Sequence, residues 1–302
     1  MNRTAFFCIV FVSSLFLGCA VDSETVDGNN ESPRLEEGVL EGSSIPEGVD
    51  SLLQFFYKEN SVDVQLLYPQ GAPKGTILLL QGWNFPITDW CDSTSICRTA
   101  LNKGYVIVCP DMGKSIYSES IYEETRRDWL KYPTRNWLIN EMIPALQNTK
   151  SLFLEENENF VVGLSTGARG ALLTAMDLPE VFTAAACLSG DYDQSAFPSD
   201  NLYKGFFGSK KDFLPRWDGK ENPITRINQL QVPLYIGHGV EDKIVPIKHF
   251  EILSSSLHNI DVPYKLNRAE GYDHNYRYWE SEVGSIFQFF DFIVNKMDND
   301  SL

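Results

Sequence analysis

The sequence predicts an α/β fold: a mostly parallel central sheet flanked by helices, with one cap-like insertion. Two observations carry this. From residue 62 onward, short β-branched or apolar runs alternate with longer amphipathic stretches, the pattern of strands joined by crossover helices. The apolar run Asn159-Phe160-Val161-Val162 also passes through Gly163-Leu164-Ser165-Thr166-Gly167 into the helix-like Ala168-Arg169-Gly170-Ala171-Leu172-Leu173, placing a serine at a strand-to-helix turn with glycines two residues to either side.

Taken in order, the strands fall near Val62 to Tyr68, Thr76 to Leu80, Tyr105 to Cys109, Phe160 to Gly163, Ala184 to Leu188, Leu234 to Gly237 and Tyr264 to Asn267. Between them, apolar residues at three- and four-residue steps predict helices over Ser93 to Lys103, Asn136 to Leu152, Thr166 to Met176, Ile247 to Leu257 and Trp279 to Lys296. The stretch 191–230 breaks the alternation. It is rich in Asp, Ser, Pro and Gly and carries Phe197, Tyr203, Phe206, Phe207, Phe213 and Trp217. An insertion that long after a strand is usually functional, so it is expected to cover the site as a cap. Its aromatics suit apolar or ring-shaped groups, or else build the cap's own core. A chain of 302 residues, 43% hydrophobic, with no internal repeat, is expected to hold one catalytic domain over residues 48–302.

The N-terminus reads differently. Met1-Asn2-Arg3 leads into an apolar run from Ala5 to Leu17, broken by Ser13 and Ser14 and too short to span a bilayer comfortably. Residues 1–18 therefore read as a signal peptide. Leu15-Phe16-Leu17-Gly18-Cys19 resembles a bacterial lipobox, which implies lipidation at Cys19, although that pattern prefers Leu where Phe16 stands. The other reading is a plain secretory peptide cut beyond Cys19. Residues 19–47 are poor in aromatics and rich in Asp, Glu, Ser, Gly and Asn, the composition of a flexible tether. The expected location is outside the cytoplasm, anchored by lipid to the periplasmic or surface face of a membrane.

Charge and cysteines narrow the class further. With 25 Lys+Arg against 41 Asp+Glu, a formal charge of -16 repels phosphate backbones and anionic headgroups, which argues against a nucleic-acid partner and leaves the N-terminal lipid as the expected membrane link. Cys91 and Cys97, close in sequence and exported to an oxidising compartment, are the expected disulfide. Cys109 and Cys187 sit in apolar strands as small buried hydrophobes. No His falls near the cysteines at metal-ligand spacing, so neither a metal nor another cofactor is expected.

A serine hydroxyl is a poor nucleophile until a base takes its proton. Ser165, at the N-terminus of a helix whose dipole favours developing negative charge, is the candidate nucleophile. Of the four His, His249 and His258 fall on or at the end of a helix as ordinary solvated residues, and His238 precedes the acid candidate. His274, in the Gly-containing loop Glu270-Gly271-Tyr272-Asp273-His274-Asn275 after the last strand, is the candidate base. Asp242, after the strand that ends at Gly237, is the candidate acid that holds the imidazole's tautomer, with Glu241 and Asp191 as rivals. The oxyanion hole is expected from the backbone N–H of Thr166 and of Trp83, the latter in the loop Gln81-Gly82-Trp83-Asn84-Phe85. Trp83, Phe85 and Trp90 are equally readable as core aromatics.

The order Ser, acid, His resembles the α/β-hydrolase fold. Gly-Leu-Ser-Thr-Gly, Ala-Cys-Leu-Ser-Gly-Asp-Tyr-Asp and Gly271-Tyr272-Asp273-His274 resemble the esterase family that includes esterase D, S-formylglutathione hydrolases and feruloyl esterases. The acid loop His238-Gly239-x-x-Asp242 with Val245-Pro246 is similar to prolyl-oligopeptidase-type domains and dienelactone hydrolases. Thr166 stands where the esterases often carry Met. The resemblance implies a Ser-His-Asp carboxylesterase acting on a small-molecule or carbohydrate-linked ester. The competing readings are a single-domain prolyl-oligopeptidase-type peptidase, which no preceding propeller-like repeat supports, and a non-catalytic binding lipoprotein, which the filled triad positions argue against.

Overall fold

The computed structural model describes residues 35–38, 50–58, 60–129 and 133–300. The expected signal peptide, Cys19 and all of the expected tether except residues 35–38 lie outside them. Nine strands form one sheet: β1 (Leu35–Gly38), β2 (Asp50–Tyr57), β3 (Asn60–Leu67), β4 (Gly75–Leu80), β5 (Tyr105–Pro110), β6 (Phe160–Leu164), β7 (Ala184–Leu188), β8 (Leu234–Gly239) and β9 (Tyr264–Ala269). Their order is β1-β2-β3-β5-β4-β6-β7-β8-β9. The first three strands pair antiparallel, β3 meets β5 antiparallel, and the six strands from β5 to β9 in that order are parallel. Every residue of β4 to β8 is buried, which is why these strands read as continuous apolar runs instead of alternating ones.

Among the described residues, ten α- or π-helical segments flank the sheet or join its strands, besides 3-10 turns at Gln194–Ala196 and Pro223–Gln229. They are α1 (Asp89–Ser93), α2 (Ile96–Lys103), α3 (Thr134–Trp137), a π turn at Leu138–Met142, α4 (Ile143–Lys150), α5 (Thr166–Asp177), α6 (Asn201–Phe207), α7 (Leu214–Asp218), α8 (Lys248–Leu257) and α9 (Tyr276–Asp300). Alternate residues of a strand face opposite cores. Leu78 and Leu80 meet the α3, α4, α5 and α8 side, whereas Ile77 and Leu79 meet α1, α2 and α9.

Four expectations are amended. Leu35–Gly38, inside the expected flexible tether, forms the edge strand β1, because an open edge on β2 supplies backbone partners without demanding apolar side chains. β2 escaped the sequence reading, although Leu53 and Phe55 alternate into the core. The helix expected over Ser93 to Lys103 is two helices, broken where Thr94 takes an extended backbone. The helix expected from Asn136 to Leu152 begins at Thr134 and carries the π turn over Leu138–Met142, one residue short of Pro144, whose ring would otherwise press on the carbonyl four residues back.

Candidate active site

At the end of β6 the chain must turn into α5 within one residue. Ser165 makes that turn at φ 55 and ψ -127, a left-handed backbone that a non-glycine residue adopts only when its surroundings impose it. The glycines explain the imposition. A Cβ on Gly163 would lie inside the van der Waals shell of the Gly167 carbonyl, and one on Gly167 inside that of the Leu80 carbonyl at the end of β4. The Ser165 N–H donates to Leu188 O at 2.9 Å, and its carbonyl accepts the Ala168 N–H at 3.0 Å. The Ser165 side chain is thereby presented at the carboxyl ends of the parallel strands, at the N-terminus of a twelve-residue helix.

Two further strand ends bring their loops to it. Asp242, three residues past β8, accepts the N–H groups of Ile244 (2.9 Å) and Val245 (2.8 Å) on Oδ1, which leaves Oδ2 facing His274 Nδ1 at 2.6 Å. An ionised carboxylate can only accept, so the Nδ1 proton points to Asp242 and Nε2 is left as an acceptor, 3.0 Å from Ser165 Oγ. The two loops are tied together by Val240 N–H to Ala269 O (2.9 Å) and Glu241 N–H to Tyr272 O (3.0 Å). The His274 ring meets Trp279 edge to face at 5.1 Å, and Trp279 Nε1 donates to Ser189 Oγ at 3.1 Å.

The rivals for the acid do not reach the imidazole. Glu241 is exposed. Asp191 is buried beyond β7, accepts the Tyr203 hydroxyl, and is pushed up to about 6 by burial. His238 is buried beside the acid: its Nε2 donates to Val245 O at 2.9 Å and lies 3.5 Å from Asp242 Oδ2, and burial, which disfavours the charged ring, pushes its pKa down.

The two expected oxyanion donors flank the same serine. Thr166 is the first residue of α5, where a backbone N–H has no partner within its own helix. Gly82 packs so closely that a Cβ would stand 3.1 Å from Ser165 Cβ. Among the described residues, the N–H groups of Asn84 and Phe85 are taken by Gly113 O and Gly82 O, whereas that of Trp83 has no backbone partner. The Trp83 ring joins the aromatic cluster above, 4.9 Å from Trp129 and 5.8 Å from Phe206.

That cluster revises the view of the insertion. Tyr203, Phe206, Phe207 and Trp217 are fully buried with Ile116 in a core of their own. Phe197 stacks on His249 at 4.1 Å, and the Arg216 guanidinium lies 3.9 Å over Phe213. All six aromatics are therefore engaged with protein partners. The insertion also has a second half that the sequence reading did not single out, the loop 113–129. Thr125 Oγ1 donates to Phe206 O (2.8 Å), the Arg126 N–H to Gly205 O (2.9 Å), and Trp129 covers Gly205. Both halves are clamped to α5 by Arg169, fully buried, which donates to Ile116 O (2.9 Å), Gln194 Oε1 (2.7 Å) and Glu221 O. A charged residue in the middle of an otherwise apolar helix was the signal available in the sequence.

His249 departs from the expectation of a solvated helix residue, whereas His258 is exposed as expected. His249 is buried, and its Nδ1 accepts the N–H groups of Tyr192 (3.1 Å) and Asp193 (3.3 Å), holding the start of the insertion to α8. Cys91 and Cys97 are joined in a disulfide that links α1 to α2; Cys109 and Cys187 are free and buried. Among the described residues no group of three or more His, Cys, Asp or Glu is placed to hold a metal ion.

A family model described as "Putative esterase" matches residues 58–290. An acetyl esterase of Caldicellulosiruptor saccharolyticus is 22% identical over 230 residues, 70% of this chain and 82% of that protein. The fold resembles FphF, a fluorophosphonate-binding serine hydrolase of Staphylococcus aureus, with a TM-score of 0.65 and 18% identity over 80% of this chain and 98% of that one. It resembles an S-formylglutathione hydrolase of Agrobacterium tumefaciens equally, with a TM-score of 0.65 and 15% identity over 86% and 98% of the two chains.

The buried His249 makes stability depend on pH. Burial, helped by the neighbouring His238 and Arg169, pushes its pKa down to about 3, whereas an unfolded histidine takes its proton near 6.5. Below about 6.5 the unfolded chain holds the extra proton, so this group destabilises the fold progressively as pH falls from about 6.5 toward about 3. Replacing it with Asn keeps an acceptor for the two N–H groups and removes the titration. Melting temperatures taken from pH 7 to pH 4 should fall less steeply for His249→Asn than for the parent; parallel curves would show that His249 does not carry the effect.

Proposed function

The chain belongs to the Putative esterase family, and from that premise we propose that it is a serine carboxylesterase working through Ser165, His274 and Asp242. The observation that carries the reading is the unbroken relay at the elbow, Ser165 Oγ to His274 Nε2 at 3.0 Å and His274 Nδ1 to Asp242 Oδ2 at 2.6 Å. As Ser165 Oγ bonds to the ester carbonyl carbon, His274 Nε2 takes the hydroxyl proton and Asp242 stabilises the imidazolium. The carbonyl oxygen becomes an oxyanion that accepts from the N–H groups of Trp83 and Thr166. Collapse of this intermediate breaks the bond to the alcohol, which leaves with the proton from His274. Water then repeats the sequence on the acyl-enzyme and releases the acid.

The substrate is an acyl ester on a small molecule or a carbohydrate. Two observations support a compact acyl group: four of the cap's six aromatics are turned into their own core, and one relative carries the name acetyl esterase. The prediction is that p-nitrophenyl acetate, methyl ferulate or acetylated xylo-oligosaccharide is turned over with a higher kcat/KM than Ala-Pro or Gly-Pro anilides. Asp242→Asn should lower kcat by roughly ten-thousand-fold through the wrong imidazole tautomer, while Asp191→Asn leaves most of the rate. A preference for an anilide would make the protein a peptidase, and a mild effect at Asp242 would move the acid elsewhere.

The location is likewise a proposal. The short apolar run before Cys19 and the polar stretch after it support export and lipidation at that cysteine, with a membrane attached only through the lipid. Among the described residues no helix is long and apolar enough to cross a membrane. Cys19→Ser should move the protein from the membrane fraction to the soluble fraction with kcat/KM unchanged. A variant that still sediments with membranes would contradict lipidation there.

A further inference from the structure

An oxyanion hole is only as good as the aim of its donors, and one of the two proposed donors hangs from a glycine. Gly82 must be small, because Leu164 Cδ1 and Ser165 Cβ would stand 2.9 Å and 3.1 Å from a Cβ there. A residue without a Cβ leaves its own backbone free to rotate. Nothing intrinsic to Gln81-Gly82 therefore keeps the next N–H, that of Trp83, pointed at the serine. Inside the loop, Gly82 O accepts the Phe85 N–H at 3.3 Å and so ties down the peptide that carries the Trp83 N–H, while the peptide before it has to be held from outside.

Part of that hold comes from either side of the loop. Trp90 Nε1 donates to Leu80 O at 3.1 Å, and the Asn84 N–H donates to Gly113 O at 2.8 Å. The peptide between Gln81 and Gly82 is held by another group: the hydroxyl of Tyr117, fully buried, donates to Gln81 O at 2.8 Å. Rotation of that peptide plane, which Gly82 permits, would break this bond in a place where water cannot replace it.

Tyr117 is itself held in an unusual state. Its φ is 56, in the left-handed region that bulky residues avoid. Its N–H donates to Ser115 Oγ at 2.8 Å, its carbonyl accepts from Arg135 Nε at 3.3 Å, and its ring is pressed flat against Gly170 of α5, where a Cβ would not fit. A strained backbone, a buried arginine and a glycine on the nucleophile's helix thus converge on the placement of one phenol. Strain of this kind persists where the surroundings over-determine it, and it collects at functional sites.

We infer that Tyr117 is a positioning residue for the oxyanion hole: its hydroxyl locks the Gln81–Gly82 peptide so that the Trp83 N–H meets the oxyanion forming on Ser165. The inference rests on the esterase reading. It assigns a task to the loop 113–129, which would join the cap to the alignment of the donor, and it explains why this buried aromatic position carries a hydroxyl at all.

Tyr117→Phe removes the hydroxyl and keeps the ring. Loss of an oxyanion donor costs about a hundred- to a thousandfold in kcat, so a misaimed donor should cost about ten- to a hundredfold, with KM within about twofold. Affinity for a phenylboronic acid, which forms a tetrahedral adduct on the serine, should weaken by the same factor as kcat/KM. A merely structural role would lower the melting temperature and the fraction of active sites, but not kcat per titrated site or boronate affinity. Ser115→Ala, which frees the Tyr117 N–H, should shift both in the same direction and serves if Tyr117→Phe does not fold. Unchanged kcat per site and boronate affinity in the folded variant would overturn the inference while the parent's Ser165-dependent hydrolysis leaves the esterase reading standing. A parent with no Ser165-dependent hydrolysis would overturn both.

Discussion

The site depends first on a contact that involves no side chain. Gly163 at the end of β6 lies against the carbonyl of Gly167 in the first turn of α5, and Gly167 in turn lies against the carbonyl of Leu80 at the end of β4. Three backbone segments can approach this closely only where two residues lack a Cβ. The approach forces the intervening residue into the left-handed region, and that residue is Ser165. Strain at the serine and proximity of the β4 loop are therefore one event: the same glycine that lets α5 start so early brings Gln81-Gly82-Trp83 beside the hydroxyl.

The parallel sheet then supplies the remaining groups. β7, β8 and β9 end at the same edge of the sheet as β6, so the loop after β8 and the loop after β9 are neighbours, and short backbone bonds between them place Asp242 against His274. Around this frame, buried charges hold the irregular pieces. Arg169 joins both halves of the cap to α5. Arg135, also buried, pairs with Asp177 on α5 and lies 3.1 Å from Glu119 in the loop 113–129 and 3.6 Å from Glu221 in the insertion. Buried ion pairs contribute little net stability, but removing one partner strands the other, so they bind a loop to one geometry.

Much of this was legible in the sequence. The five central strands, β4 to β8, declared themselves because strands buried on both faces must be apolar throughout, whereas β3 and β9, partly exposed, were read from shorter runs. Ser165, Asp242 and His274 were singled out by the order in which the topology presents them, and the elbow glycines by their spacing around the serine. What escaped has physical reasons. β1 and β2 form the antiparallel edge of the sheet, where backbone pairing does the work that apolar side chains do in the centre. His249 falls on an amphipathic helix, where a surface position and a buried acceptor for two N–H groups look alike. The cap aromatics were readable either as a binding surface or as a core, and only packing decides between them. Arg169 stood out as a charge in an apolar helix, but the partners of Tyr117, Arg135 and Arg169 are distant in sequence, and no local pattern announces them.

The geometry around the elbow implies that Ser165, and no other residue, is the activated nucleophile. The direct measurement is to treat the protein with a fluorophosphonate at neutral pH and locate the adduct by peptide mass spectrometry. One adduct per chain is expected, on Ser165, at a rate that collapses when His274 is replaced by Ala. Absence of an adduct, or an adduct on another serine such as Ser189 or Ser115, would contradict it.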